Sequence, residues 1–415
     1  MTRKATRRRV LMGIGTGTAI GVAGCTGGSN GDGGGDGNNG SSGESGSSGG
    51  TASGEDTTSG GQGNSSGGSA QQASGPLTAD GSSTVYPITS DGAAVWNSNP
   101  PADDGEYWGS NDEGTAPGYE ALGSPDMPMT EFFANIYGLD PYQVNVGLSH
   151  SGTGIEKLMN DQVDIGDSSA PVQDELPERE SYENFVDHVV GVDGQPVIVS
   201  QAIYDAGVTK LTGEQLRGIY TGEITNWSEI DSYSGDDKEI QNICRAEGSG
   251  TDTAFRSNFL GDPNAEIACS QRIGQNQQVR STVLNADNAV AYIALAFTGN
   301  GAPAVALELD GTTYELGKNL GSKDYPLSRD LHCYTWQDTS KQESAFINML
   351  LTEFGQQQFV AANDYFKLPP NRREEERSKL AEPEQDIEYG GGNASSGNAS
   401  SGTTMGSTTS GSSSS

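Results

Sequence analysis

Residues 245–253 read Arg245-Ala246-Glu247-Gly248-Ser249-Gly250-Thr251-Asp252-Thr253. A strand-like apolar run, 240–245, leads into them, and a helix-like run, 251–259, leads out. A Gly/Ser/Thr loop that opens a helix after a strand gathers unpaired N–H groups, the positive end of a helix dipole and hydroxyl donors. Glycine also lets the backbone come close to a ligand. One such loop means little, because Ser and Thr are ordinary N-caps. Two more segments repeat the design: Asp80-Gly81-Ser82-Ser83-Thr84-Val85-Tyr86-Pro87 and Ser149-His150-Ser151-Gly152-Thr153-Gly154-Ile155-Glu156-Lys157-Leu158. Three together read as one anion site. Arg245 adds a planar guanidinium that grips a tetrahedral oxyanion bidentately, with Glu247 expected to hold it in place.

Outward from these loops, strand-like and helix-like runs alternate. Segments 144–148, 164–166, 189–192 and 196–204 read as strands. Segments 154–160, 212–221 (with Thr212 as N-cap) and 340–359 read as amphipathic helices, and 290–296 is an apolar run. Such alternation predicts an α/β fold with mostly parallel sheets. Residues 97–128 interrupt it with Pro, Gly, Asp and Asn, and Tyr107, Trp108 and Tyr119 are expected to pack somewhere.

In order and spacing these motifs resemble the phosphate-binding proteins of the PstS-like family, the substrate-binding components of phosphate ABC transporters. The remaining markers are Val163-Asp164-Ile165-Gly166-Asp167-Ser168-Ser169, Leu216–Trp227 and Tyr325-Pro326-Leu327-Ser328-Arg329, so the likeness covers about residues 77–372. It implies a two-lobed periplasmic-binding-protein fold with the ligand in the inter-lobe cleft. Lobe 1 would be 76–191 plus 289–389, and lobe 2 would be 192–288. Inorganic phosphate would be held by Ser83, Thr84 and the N–H of Val85; by Ser151, Gly152 and Thr153; by Ser169; and by Arg245, Ser249, Gly250 and Thr251. The partners implied are the permease subunits of the importer, and the chain itself would be a monomer without catalysis, metal or cofactor. Where some members carry an Asp, this chain has Ser169. That Asp accepts the proton of hydrogen phosphate and repels sulfate, which has none to donate. With Ser169, discrimination against sulfate weakens unless Asp167 supplies the acceptor. Trp227 is expected to anchor lobe 2, Arg329 to be structural, and His150 to pack or cap at its loop edge.

Charge and chain ends set the remaining limits. Net charge is −33, and removing residues 1–25, with five basic residues and no acidic one, leaves 18 basic against 56 acidic, or −38. Phosphate backbones are repelled by such a surface, so nucleic acid is excluded as a partner. Scattered acids with only nine Lys suit a halophile, where salt screens self-repulsion. Arg7-Arg8 before Val10-Leu11 resembles a twin-arginine export signal, and Val22-Ala23-Gly24-Cys25 resembles a lipobox in which Cys25 is lipidated. Residues 26–75 hold 19 Gly and 12 Ser and 390–415 are similar; neither buries enough apolar surface to fold, and the first reads as a tether. The chain is therefore expected on the outer face of the cytoplasmic membrane, held by a lipid. Asn393 and Asn398 lie in glycosylation sequons. Cys244 and Cys269 fit either a disulfide or, with Cys333, three buried thiols. No Gly-x-Ser-x-Gly elbow surrounds Ser151 or Ser249 and no Walker motif occurs, which leaves a phosphate-ester hydrolase as the weaker alternative. A binding protein for sulfate, molybdate or tungstate is the other.

Overall fold

Two apolar patterns organise the chain into two sheets. The computed structural model describes residues 75–108, 126–298 and 301–385, all within one contact unit, 71–415. Cys25, Tyr119, Asn393, Asn398 and nearly all of the expected tether and tail lie outside those residues. Among the described residues the strands are β1 Leu77–Gly81, β2 Val144–Val146, β3 Ile165–Ser168, β4 Phe185–Gly194, β5 Val197–Val199, β6 Lys210–Thr212, β7 Gln241–Arg245, β8 Gln271–Ile273, β9 Ala289–Tyr292, β10 Ala304–Leu309, β11 Thr312–Tyr314 and β12 Ser328–Trp336. The helices are α1 Tyr86–Ser98, α2 Gly105–Trp108, α3 Met129–Ile136, α4 Ser151–Met159, α5 Val172–Glu175, α6 Gln201–Asp205, α7 Gly213–Thr221, α8 Gly250–Phe255, α9 Asn276–Asn285, α10 Lys341–Leu351, α11 Glu353–Gly355 and α12 Pro370–Arg377.

The first sheet runs β2-β1-β3-β12-β4 and the second β11-β10-β5-β9-β7-β8, with β6 on β10. β1, β2 and β3 are parallel to one another, as are β7, β8 and β9. β12 is antiparallel to both β3 and β4, and β5 to both β9 and β10, so the sheets are mixed rather than mostly parallel. Each lobe buries an aromatic core. Trp96 of α1 meets Phe346 of α10 edge-on at 5.8 Å, and Phe255 stacks on Tyr292 at 4.0 Å. Such pairs add to the burial of their own area. Trp227 anchors the second lobe as expected, fully buried with Nε1 donating to Asn288 O at 2.8 Å. Thr212 caps α7 in a reciprocal capping box with Gln215.

Three boundaries move. β9, β10 and β11 belong to the second sheet, so that lobe runs on to Tyr314 instead of ending at 288. β9 is apolar along its length, and a position between β5 and β7 buries both its faces. The chain returns to the first lobe across 315–327, beside the outward crossover: Gln195 N donates to Leu327 O at 2.9 Å and Tyr325 Oη to Gln195 O at 2.7 Å. The apolar stretch 196–204 is half strand and half helix, β5 then α6. The helix foreseen across 340–359 breaks at Thr352, whose extended backbone and hydroxyl start α11. Cys244 and Cys269 are joined as a disulfide, and Cys333 is a buried free thiol. From the interrupting segment, Trp108 packs edge-on against Phe354 at 5.8 Å and donates from Nε1 to Pro101 O.

Candidate functional site

The loops emerge where strands end. β1 stops at Gly81, and Ser82, Ser83, Thr84 and Val85 turn the chain into α1. α4 starts at Ser151 behind the extended His150, and α8 at Gly250 behind the extended Ser249. Ser169 directly follows β3. The C-terminal ends of parallel strands are where α/β sheets collect ligands. Ser83, Thr84, Val85, Ser151, Ser169, Arg245, Ser249 and Thr251 are all buried.

The first lobe supplies two loops and the second lobe the third, and they meet across the cleft. Ser151 Oγ accepts from Gly250 N and Ser169 N, each at 3.2 Å. Gly152 N donates to Gly248 O at 3.2 Å. Thr84 Oγ1 and Thr251 Oγ1 lie 3.0 Å apart. The approach requires glycine at position 250: a Cβ there would stand 2.3 Å from Ser151 Oγ and 2.6 Å from Ser169 Oγ. α4 is held as tightly, since a Cβ on Gly154 would meet Asp80 O at 2.5 Å.

Two arginines reach into this junction. Arg245 Nη2 donates to Ser83 Oγ at 3.1 Å and to Gly274 O, Nη1 to Asn276 Oδ1 at 2.6 Å, and Nε to Ile273 O at 3.2 Å. Burial pushes its guanidinium down to about 10, which leaves it charged at neutral pH. Arg329 Nη1 donates to Ser169 O at 3.1 Å and Gly250 O at 2.8 Å, and Nη2 to Thr251 Oγ1 at 3.1 Å and Thr84 Oγ1 at 3.3 Å. Arg329 also pairs with Asp193 at 2.8 Å, its register partner on β4. Burial raises the Asp193 carboxyl while Arg329 opposes the rise.

Several expectations change. Arg329 was expected to be structural; it is that, through Asp193, and it also contacts four of the residues expected to hold the ligand, Thr84, Ser169, Gly250 and Thr251. Glu247 is exposed, and the Arg245 fork is held instead by Asn276 and the carbonyls of Ile273 and Gly274. Asp167 supplies no acceptor to the cleft. Its carboxyl turns to α1 and β12, taking Thr89 Oγ1 at 2.8 Å and Cys333 Sγ at 3.4 Å, and burial pushes it up to about 7. Thr153 is half-buried in the first turn of α4, outside the described contacts between loops. His150 lies with Cε1 3.0 Å from where a Cβ on Gly274 would sit, and burial, then Arg245, lower its imidazole.

Asn276 is a residue the sequence reading missed. Its Nδ2 donates to Ser83 Oγ at 3.0 Å and Thr84 Oγ1 at 3.2 Å. The available signal was a fourth strand–Gly–helix turn, Ile273-Gly274-Gln275-Asn276, without the hydroxyls that marked the others. Glu175 was also missed. One of its carboxyl oxygens is buried without a partner, and the other lies 3.3 Å from where a Cβ on Gly152 would stand. Burial pushes this carboxyl up to about 8, against a hydrogen bond from Thr253 and the charge of Arg329. Among the described residues no group of three or more His, Cys, Asp or Glu is placed to hold a metal.

Known proteins are similar to this chain. The phosphate-binding protein PstS of Bacillus subtilis is 28% identical over 225 residues, covering 54% of this chain and 71% of that protein. PstS of Staphylococcus aureus is 23% identical over 223 residues, covering 51% and 66%. A crystal structure of a putative phosphate ABC transporter substrate-binding protein with bound phosphate, from Clostridium perfringens, aligns over 71% of this chain and 100% of its own at TM-score 0.53 and 23% identity, which shows a common fold. The PBP superfamily domain matches residues 111–356, more than half of the chain, and the chain belongs to that family.

Proposed function

We propose that this chain captures inorganic phosphate outside the cytoplasm and hands it to an ABC importer. The observation that carries the reading is the convergence of Arg245, whose described contacts include no carboxylate, with donors from both lobes. A dehydrated anion needs its charge met by a fixed cation and by many hydrogen bonds. Both are available here, from Arg245, from the N-termini of α4 and α8, and from Ser83, Thr84, Ser151, Ser169 and Thr251. The relatives named as phosphate-binding PstS proteins support the choice of anion.

A route for the ligand follows from the contacts between lobes. Ser151 Oγ and Gly250 N now bond to each other across the cleft. An anion reaches them only when the lobes part about the paired crossovers at Gln195 and Leu327. It then takes over hydrogen bonds that the lobes make to one another, and closure resumes around it. The closed form docks on the permease, and the permease reopens it. Surface acidity does not prevent capture, because the local dipoles and Arg245 act at contact range while distant charges are screened by salt.

No helix of the described residues is long and apolar enough to cross a membrane. We place the protein on the outer face of the membrane, lipidated at Cys25 after twin-arginine export, on the strength of residues 1–25 alone. Mass spectrometry of membrane-released protein tests the anchor: a mature N-terminus other than a lipidated Cys25 removes it. A monomeric state, a halophilic source and glycosylation at Asn393 and Asn398 belong to the same proposal. Phosphate titration by calorimetry tests the function, and the absence of phosphate binding in molar salt would sink it.

A further inference from the structure

The guanidinium of Arg245 owes its position to one short stretch of chain. Three of its four described hydrogen bonds end within residues 273–276: Nε on Ile273 O at 3.2 Å, Nη2 on Gly274 O, and Nη1 on Asn276 Oδ1 at 2.6 Å. Ile273 closes β8, and Gly274 and Gln275 carry the chain from it into α9. β8 is a strand of three residues at the edge of the second sheet, paired with β7. Gln271 and Arg272 are exposed, and Ile273 alone is buried. A strand's register is specified by what it buries, and a slip of one residue shifts every pairing along it. With a single buried side chain β8 fixes its own register weakly, although the Arg245 fork depends on it.

The bond between Cys244 and Cys269 supplies what β8 lacks. Cys244 immediately precedes Arg245 on β7 and is the register partner of Arg272, while Cys269 stands just before β8 begins. The bridge thus runs diagonally from β7 to the chain entering β8, and a slip of one strand along the other pulls against it. We propose that this disulfide is a positioning element of the anion site: it locks β8 in register, so that the carbonyls of Ile273 and Gly274 and the side-chain amide of Asn276 hold the Arg245 fork against the first loop. The inference rests on the phosphate-binding reading and makes capture depend on the oxidation state of this cysteine pair. The packing of the lobe has other supports. Phe255 stacks on Tyr292, and Asn242 accepts from Ser270 N at 2.8 Å and donates to Ile219 O at 3.1 Å. Asn242 is therefore the rival clamp. Cys244 is buried, but Cys269 lines a surface cavity of about 210 Å³, from which a small reductant reaches the bond.

Calorimetric titration of the full chain with sodium phosphate in molar KCl, before and after treatment with a trialkylphosphine, tests the proposal. The phosphine and one water turn the bridge into two thiols, and the phosphine leaves as its oxide. A low-molecular-weight disulfide re-forms the bridge by exchange, itself ending as two thiols. Reduction should weaken phosphate binding about tenfold, and reoxidation should restore it. Cys244→Ala combined with Cys269→Ala should match the reduced chain. In an Arg245→Lys background, where no fork remains to be held, reduction should change the affinity by less than about twofold. That dependence on the guanidinium separates positioning from a general loosening of the lobe. Affinity within about twofold of wild type in a chain whose thiols are shown to be free would overturn the inference and leave the register to Asn242. If the reduced chain and the alanine variant both melt below the titration temperature, the bridge holds the lobe as a whole and the inference also falls. Failure of the oxidised chain to bind phosphate would instead overturn the phosphate reading itself.

Discussion

Arg245 and Arg329 stand on opposite lobes, both buried and both touching the first loop, yet their surroundings differ. Arg245 is held by two carbonyls, an amide and a hydroxyl, with no carboxylate among those contacts. Arg329 is neutralised by Asp193, opposite it on the neighbouring strand. A buried cation without a partner is costly, and burial accordingly lowers the pKa of Arg245. The difference teaches how the two divide the work. Arg245 keeps a charge in reserve that an anion would satisfy, while Arg329 adds direction without net charge and ties both lobes to the hinge.

The sharpest way to break this division is to remove each arginine in turn. Arg329→Met leaves Asp193 buried without its cation and should cost about 3–5 kcal/mol of folding stability, read from denaturant melts in molar salt. Adding Asp193→Leu should restore most of that stability but not phosphate affinity, because the contacts to Ser169, Thr84 and Thr251 stay lost. Arg245→Met should do the reverse, costing about 3–5 kcal/mol of phosphate binding by calorimetry while the melt changes little. Arg245→Lys should recover only part of the affinity, since an ammonium cannot reproduce the planar fork. Phosphate binding within about threefold of wild type in Arg245→Met would show that the third loop is not the site.

Asp167 sharpens the rule from the other side, as a buried carboxyl with no cation on it. Its folded pKa, pushed up to about 7, exceeds the ordinary carboxylate value. The folded state therefore binds the extra proton. The stability this provides is full below about pH 4 and is lost as pH rises through about 7. Asp167→Asn should flatten that loss, which three pKa units put at about 4 kcal/mol, measured as the pH dependence of melting between those limits. An unchanged pH profile would place the titration elsewhere.

Ser151→Ala should have the smallest effect. It removes a hydroxyl that joins Ser169 N and Gly250 N across the cleft, and should weaken phosphate binding by about 1–2 kcal/mol, the scale of one hydrogen bond to a charged group. A loss as large as that of Arg245→Met would mean that the hydroxyl, and not the guanidinium, dominates the site.

Much of this was legible because it is local. Nine residues around Ser249 contain a strand end, a glycine that permits close approach and a helix start, and these features create unpaired N–H groups wherever the segment folds. The same holds for the loops at Ser83 and Ser151, and for Arg245 at the end of its strand. Thr212 and Trp227 were readable for similar reasons, as a cap and as a large apolar anchor. What only the tertiary structure decided are contacts between distant residues. Arg329 meets Asp193 across 136 positions because β12 sets down antiparallel on β4 in one register. Asn276 reaches Ser83 across 193 positions because the two lobes close. β9 joins the second lobe because a strand apolar on both faces is buried best between two others.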